Sequence, residues 1–423
     1  MTAFRSLLGL FLYAIVHVAT TNIAFAVTQQ ETTVNGLKVW RFVWSDSNGR
    51  TRTVSLKKQG EGNPGNGGYA VQMTYRYVAA GVLKTATVNA PTGDGFGYFV
   101  SHERQRKFTD GASATIARKI FGKDDSPLGR IFPVTARALA TGANKKIMEF
   151  KLTYPRYGAV SAGGLNPNTG EDSPRLGTDA NLYRLYNLPV SITWYFQDGR
   201  DYPRIVTRVD MAPVPGPDRV SFDVRGPYGK LNFDSGNFPM RRVTWADRCY
   251  FKTTSAPLTR NSTWTWNVLN RRARFVAMVA GKAEFGLVEP ALYSKSAIND
   301  GYSDGRGKTS TTYNNGNGCP FQTQKLPCDY EWPYQNVQYE LPYNNVDGTT
   351  TSEKFAWGST PFYGMSLAST YDGTQAVPFV GFPASKRIQY QVCLVVGQYV
   401  SPGLTRTAAT TGGAYNCADT TRN

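Results

Sequence analysis

The 423-residue chain sets 47 Lys and Arg against 30 Asp and Glu, a formal excess of +17. That excess favours a polyanionic partner (acidic polysaccharide, an anionic envelope surface or nucleic acid) over an acidic-protein role; a solvated basic surface with no specific ligand is the equal alternative, and charge says nothing about fold. Only His17 and His102 are present, which excludes metal sites built from several histidines, and no GxSxG elbow, P-loop or GxGxxG occurs, so no metal and no cofactor is expected.

The chain opens with a secretory pattern. Arg5 supplies a positive start, residues 7–14 are apolar, with Ile15, Val16 and Val18 extending the run, and Ala24-Phe25-Ala26 has the small-x-small form cut by signal peptidase. Cleavage after Ala26 is expected, giving Val27 as the mature N-terminus and a secreted or periplasmic protein. Thr20, Thr21 and Asn22 stop the run short of the ~20 apolar residues of an anchor helix. No cysteine near the cut suggests a lipid anchor, and no later stretch suggests a membrane span. Arg5 is the only charge removed, so the excess falls from +17 to +16. The remaining length exceeds the ~200–250 residues of one large β domain. The expected division is a signal peptide over 1–26, a β-rich region over 27–158, a loop or linker over 159–179 and a β-sandwich region over 180–423.

Along the mature chain the dominant signal is period two. Val71, Met73, Tyr75 and Tyr77 alternate with polar residues, as do Met148, Phe150, Leu152 and Tyr154, then Val190, Ile192, Trp194 and Phe196, then Ile388, Tyr390, Val392, Leu394 and Val396. This spacing predicts half-buried strands. Asn48-Gly49 and Asp198-Gly199 sit between such runs and predict hairpins. Residues 114–121 and 134–141 lack internal Gly and Pro and are rich in Ala and Arg, so short helices are expected there. Residues 159–179 and 294–318 are rich in Gly, Asn and Ser with no apolar period. The sum is a mainly β chain: a large antiparallel β-sandwich with a few short helices.

Five cysteines lie in the second half. In an exported chain disulfides persist. Cys319–Cys328 is the first expected pair and Cys393–Cys417 the second, with Cys249 left as a buried thiol.

The segments SITWYFQDGRDYPRIVTRVDM, DVRGPYGKLNFDSG and ARFVAMVAGKAEFGLVEP, all within residues 191–290, resemble the twisted antiparallel sandwiches of galactose-mutarotase-like, supersandwich carbohydrate-active proteins. The resemblance implies a supersandwich fold and contact with glycans, and no particular reaction.

Three constellations carry candidate chemistry. His102, in Ser101-His102-Glu103-Arg104, is the one imidazole of the mature chain; cations around it disfavour its charged form, which suits a general base, while the bland reading is a surface histidine on a basic strand end. Asp223, Arg225 and Tyr228 come next. Alternation gives Asp223 and Arg225 one face, Gly226-Pro227 is expected to break the strand, and Tyr228 to follow on the turn. The Arg fork would hold a carboxylate and the Tyr would stack or donate, unless the acid and Arg merely staple the turn. Last, Trp332 and Tyr334 in an aromatic loop after Cys328 would stack on sugar rings, or else plug the sheet.

Asp198, Asp201, Asp210, Glu284 and Glu289 are further acids, and a hydrolase needs two of them across a cleft. Residues 300–305 resemble a calcium loop but lack its third ligand. These residues together suggest a polysaccharide partner, anionic in character. A lyase would use His102 or Tyr228 as base or acid and Arg225 as neutraliser. A lyase or a glycoside hydrolase is the leading reading, and a non-catalytic glycan-binding or envelope-associated structural protein is the alternative. Nucleic acid is disfavoured because the cations are dispersed and the chain is exported.

Overall fold

The computed structural model describes residues 26–61, 67–90, 95–102, 134–139, 142–159, 165–166, 171–172, 183–210, 212–213, 220–221, 223–232, 240–246, 251–253, 275–280, 282–288, 334–340, 352–360, 362–363, 365–368, 376–380, 387–410 and 416–421. The expected leader, the 114–121 helix, the loop at 300–305, Trp332, Glu289, Cys249, Cys319 and Cys328 lie outside them.

Two nine-stranded antiparallel sheets dominate. Sheet 1 runs in the order β1 (Thr28–Val34), β2 (Leu37–Ser45), β3 (Thr51–Lys57), β4 (Ala70–Ala79), β5 (Val82–Asn89), β14 (Asp223–Asn232), β20 (Ser352–Thr360) and β19 (Tyr334–Glu340), and β6 (Phe96–His102) pairs with both β14 and β4. Sheet 2 runs β16 (Phe251–Thr253), β15 (Met240–Ala246), β17 (Phe275–Ala280), β18 (Ala283–Val288), β24 (Arg387–Gln398), β12 (Arg204–Asp210), β11 (Tyr183–Gln197), β8 (Lys145–Ala159) and β7 (Val134–Leu139). Three two-stranded ribbons complete the strands: β9 (Leu165–Asn166) with β10 (Glu171–Asp172), β13 (Val220–Ser221) with β21 (Phe362–Tyr363), and β22 (Met365–Ala368) with β23 (Ala376–Val380). Both large sheets take strands from either side of residues 159–179. The expected mainly β sandwich is what forms.

The predicted hairpins are present. Asn48-Gly49 joins β2 to β3 and Asp198-Gly199 joins β11 to β12, with Gly49 and Gly199 at φ 71° and 73°. The expected helix over 134–141 is instead the edge strand β7, paired with β8 from Val134↔Leu152 to Leu139↔Ile147. Helix propensity is a weak preference, and an open ladder on β8 outweighs it. Prolines inside the long strands obey the pairing. Pro189 of β11 lies one residue past Val190↔Val209, where the β12 ladder ends, and Pro155 of β8 lies beyond Val134↔Leu152, where β7 ends, so neither strand needs the missing N–H on that side.

An aromatic layer fills the space between the sheets. Phe42 stacks on Phe196 at 4.2 Å, Trp40 and Trp44 of the same strand meet Phe150 and Phe196, and Phe96 meets Phe285 edge-on at 5.0 Å. Trp194, fully buried, donates its indole N–H to the Gly68 carbonyl at 3.1 Å. Its ring presses on Gly97, where a Cβ would come within 2.4 Å and where φ is +119°, so only glycine fits.

Sheet 2 has a third layer on its outer face. Helix α1 (Leu404–Thr410) and residues 416–421 cover β18, β24 and β12. Ala408 and Cys417 pack with Tyr202, Val288, Cys393 and Val395, while Ala418 packs with Ile147, Tyr195 and Val206. Hence residues 392–396 and 283–288 are buried on both faces. This corrects the half-buried reading of the last alternating run: Val392 and Leu394 belong to one face, and Cys393 and Val395 lie beneath the cover. The cover is fastened at several points. Cys393 and Cys417 form the expected second disulfide, with Cα atoms 5.9 Å apart. The Ala418 N–H donates to the Tyr202 carbonyl at 2.9 Å, and the buried Lys145 ammonium reaches Asp419 and the Thr421 carbonyl. Burial opposes ionisation of Asp419, but hydrogen bonds from Lys145 and Thr421 outweigh it and hold its pKa at about 2.

Candidate functional site

Strand pairing decides which of the predicted residues meet. On β6 and β14 the register sets His102 directly opposite Asp223, with Val100 opposite Arg225. Directly opposed positions of an antiparallel pair have Cα atoms about 4.5–5.5 Å apart. Farther across sheet 1, Val224 pairs with Ser359 and Tyr334 with Thr360, so Tyr334 falls in nearly the same cross-strand row as Asp223 and His102. Arg225 pairs with Gly358, and Gly358 with Asn336, two rungs along and therefore on the same face of the sheet. Four of the six predicted site positions thus occupy two rows that are two rungs apart.

The expected strand break at Gly226-Pro227 does not occur. β14 continues to Asn232, and both of its ladders shift register between Arg225 and Tyr228. The dipeptide forms a bulge, which accommodates a residue lacking an N–H without ending the strand. Tyr228 therefore sits in the ladder, opposite Tyr98 and Ala356, beyond the bulge rather than on a turn.

The acids singled out as hydrolase candidates are engaged in structure. Asp198 accepts the Ser45 N–H at 3.0 Å. Asp201 accepts the Ser47 N–H and hydroxyl at 3.0 and 2.8 Å and the Asn416 amide at 2.7 Å. Glu284, buried, accepts the N–H groups of Leu404 and Thr405 at 2.7 and 2.8 Å and so caps α1. Burial pushes its carboxyl above the ordinary range, against the pull of those two N–H donors.

A second feature was not anticipated from the sequence. Beyond the edge of the C-terminal cover, sheet 2 carries a concavity of about 460 Å³ whose walls mix charged and hydroxyl groups with Leu152, Pro189 and Val190. One row crosses it: Thr135 pairs with Lys151, Lys151 with Ser191, and Ser191 with Arg208. Beside this row the buried Glu149 takes Arg137 at 2.8 Å and Lys151 at 3.5 Å. Asp210 accepts the Ala212 N–H at 2.8 Å. Two cations and several hydroxyls thus line an open recess that contains no aromatic ring. Such a lining suits hydroxyls and anionic groups, and its acids are committed to neighbours. The alternating polar positions of β8, β11 and β12 are the signal that could have marked it.

No family model matches this chain, and no curated protein matches it. Among solved structures it is similar to a protein in glycosyl hydrolase family 38 from Enterococcus faecalis, at 10% identity and a TM-score of 0.35, over 85% of this chain and 32% of that one. It is also similar to a TPR-domain containing protein from Parabacteroides distasonis, at 8% identity and a TM-score of 0.28, over 88% of this chain and 54% of that one. The chain spans about a third of the first and about half of the second. Likenesses this distant fix neither a family nor an activity. No helix among the described residues is long and apolar enough to cross a membrane.

Proposed function

We propose that this is an exported carbohydrate-active protein that recognises an anionic polysaccharide, and that its chemistry is centred on the His102–Asp223 row of sheet 1. The observation that carries the reading is the register itself. The one imidazole available after removal of the leader lies opposite an acid, with an arginine two residues along the same strand. In a lyase an imidazole removes the proton beside a uronate carboxylate, an acid orients that imidazole, and an arginine fork neutralises the carboxylate. Tyr334 and Tyr228 are the nearest candidates for holding the sugar or protonating the leaving oxygen. The excess of +16 left after removal of Arg5 from the +17 of the full chain supports a polyanionic substrate.

A second reading, glycan binding without turnover, is favoured by the concavity of sheet 2, whose Lys151, Arg208 and hydroxyls offer contacts but no uncommitted acid.

Incubation with a panel of acidic and neutral polysaccharides separates the two, following unsaturated-uronate absorbance, reducing ends and binding. The catalytic reading expects new product on an acidic polymer. His102→Ala should abolish that product with binding retained, and Arg225→Ala should lower affinity or turnover about tenfold or more. Binding without product, weakened by Lys151→Ala with Arg208→Ala, gives the second reading. No binding to any polymer rejects both.

A further inference from the structure

The β4–β5 hairpin ends unlike the rest of sheet 1. Tyr75 and Ala86, opposed in the ladder, are buried. Past them every residue from 76 to 85 is exposed or half-buried. Four rungs and a turn therefore stand clear of the sandwich, a finger roughly 14 Å long at the rise of an antiparallel strand.

The end of this finger is apolar. Val78, Val82 and Leu83 are 47%, 57% and 46% exposed, three of the four large hydrophobics left most open among the described residues. No side chain from Tyr77 to Leu83 is charged. The turn makes the choice conspicuous. Ala80 and Gly81 adopt φ 50° and 76°, nearly the values of Asn35 and Gly36, 50° and 79°, in the β1–β2 turn. Asparagine adopts the left-handed region more readily than alanine, which adopts it here at a steric cost. Alanine at position 80 keeps the tip free of polar atoms against the backbone's preference.

Cations collar the base. Arg76 lies in the rung behind Tyr77, and Lys84 is opposite Tyr77. Register gives one face of the ribbon Arg76, Val78 and Leu83 and the other Lys84, Ala79 and Val82, so each face has a cation at its base and apolar groups at its tip. The chain has no acid between Glu61 and Asp94.

We infer that the β4–β5 finger is an interfacial anchor that inserts its apolar tip into a bilayer carrying anionic headgroups, with Arg76 and Lys84 at the level of the phosphates. A soluble polyanion would engage the collar and leave the tip in water. Three aliphatic side chains bury far less than the roughly 1,000 Å² that a specific protein interface needs, so a second copy does not account for the tip. An interfacial segment needs only this combination of apolar end and basic flank. The inference is independent of the sugar reading.

Vesicle sedimentation tests it, with phosphatidylcholine alone and with phosphatidylcholine containing phosphatidylglycerol. The protein should sediment with the anionic vesicles. Removing either cation, Arg76→Gln or Lys84→Gln, should weaken that binding about fivefold. Val82→Asp with Leu83→Asp should weaken it tenfold or more while leaving the melting temperature unchanged, because both side chains are exposed. In Leu83→Trp, the indole emission should shift to the blue on the anionic vesicles. Three results overturn the inference: no binding, binding that depends on the cations but not on Val82 and Leu83, or an indole that stays in water. A concentration-dependent dimer abolished by the Val82 and Leu83 substitutions would overturn it too, assigning the tip to a second copy.

Discussion

The two sheets bury matching inner faces and treat their outer faces in opposite ways. On sheet 1 a row of polar side chains crosses the outer face, beside the buried pair Val39 and Lys57. Arg41, Ser55, Gln72 and Asn89 are successive cross-strand partners over β2, β3, β4 and β5. The Gln72 amide donates to Asn89 at 3.1 Å, the Arg41 guanidinium reaches the Ser55 hydroxyl at 3.5 Å, and Thr53 bonds Thr74. On sheet 2 much of the outer face is apolar and is covered by α1 and residues 416–421. Arg41, Gln72 and Asn89 are half-buried and Ser55 is buried between Arg41 and Gln72, so water reaches the half-buried members and completes the bonds they do not make. An apolar outer face needs a lid, and a short terminal segment pays too much conformational entropy to stay there unless it is fastened. The disulfide, the helix cap and the Lys145–Asp419 pair are those fastenings.

Cutting the strongest fastening should break the comparison most visibly. Cys417→Ser removes a crosslink closing a 24-residue separation and should lower unfolding stability by about 2–4 kcal/mol. Urea unfolding measures it, and wild-type protein under strong reductant should approach the variant. If reduction leaves the transition where it was, the remaining contacts hold the lid and the disulfide is incidental to it.

The helix cap is a smaller effect with a pH signature. Glu284→Ala orphans the N–H groups of Leu404 and Thr405 and should cost about 1–3 kcal/mol. The carboxyl is raised above its ordinary value of 4.5 by burial. The folded state then binds the proton more tightly than the unfolded chain. The resulting stability is complete below about 4.5 and is lost as pH rises through the folded value. Glu284→Gln cannot titrate. The difference in unfolding free energy between wild type and this variant should therefore move in the wild type's favour as pH is lowered from neutral toward 4.5. A difference that stays flat would mean that the cap is ionised in both states.

The same contrast explains what could be read from the sequence. Sheet 1 was legible: alternation over Val71, Met73 and Tyr75 against Gln72 and Thr74 matches its burial, and its Asn48-Gly49 hairpin is local. Sheet 2 was legible on its inner face, through Val190, Ile192, Trp194 and Phe196, but not on its outer one. The expected Cys393–Cys417 pair places residue 417 at this strand, but nothing within 388–396 reveals that residues 404–410 and 416–421 will cover Val395 as well. Residues 134–139 misled for a related reason. Their Ala and Arg content reports local preference, while the partner that makes them a strand, β8, starts at Lys145 and is recruited by its own partner β11. The candidate site divides likewise. Residue types nominated His102, Asp223 and Arg225, but the opposition of His102 to Asp223 depends on β6 pairing with a strand far along the chain. The concavity of sheet 2 assembles Thr135, Lys151, Ser191 and Arg208 from four strands, none of which carries a motif.

The ladder itself should yield the smallest effect, and that outcome sharpens the comparison. Gln72→Ala deletes the donor to Asn89 in the middle of the polar row of sheet 1. Gln72 and Asn89 are only half-buried, so water can reach the abandoned Asn89 oxygen and no fully desolvated group is left behind. Position 72 faces away from the aromatic layer, because its neighbours Val71 and Met73 are the buried ones, so no cavity opens in the core. What remains is the net worth of one neutral hydrogen bond, about 0.5–1.5 kcal/mol and toward the lower end at a wetted site. Alanine's poorer fit to a pleated strand adds to this only weakly. Urea unfolding at neutral pH should therefore place Gln72→Ala well below Cys417→Ser in cost. If the two variants were equally unstable, the polar row would be acting as a buried network, and the outer face of sheet 1 would depend on a cover as much as that of sheet 2 does.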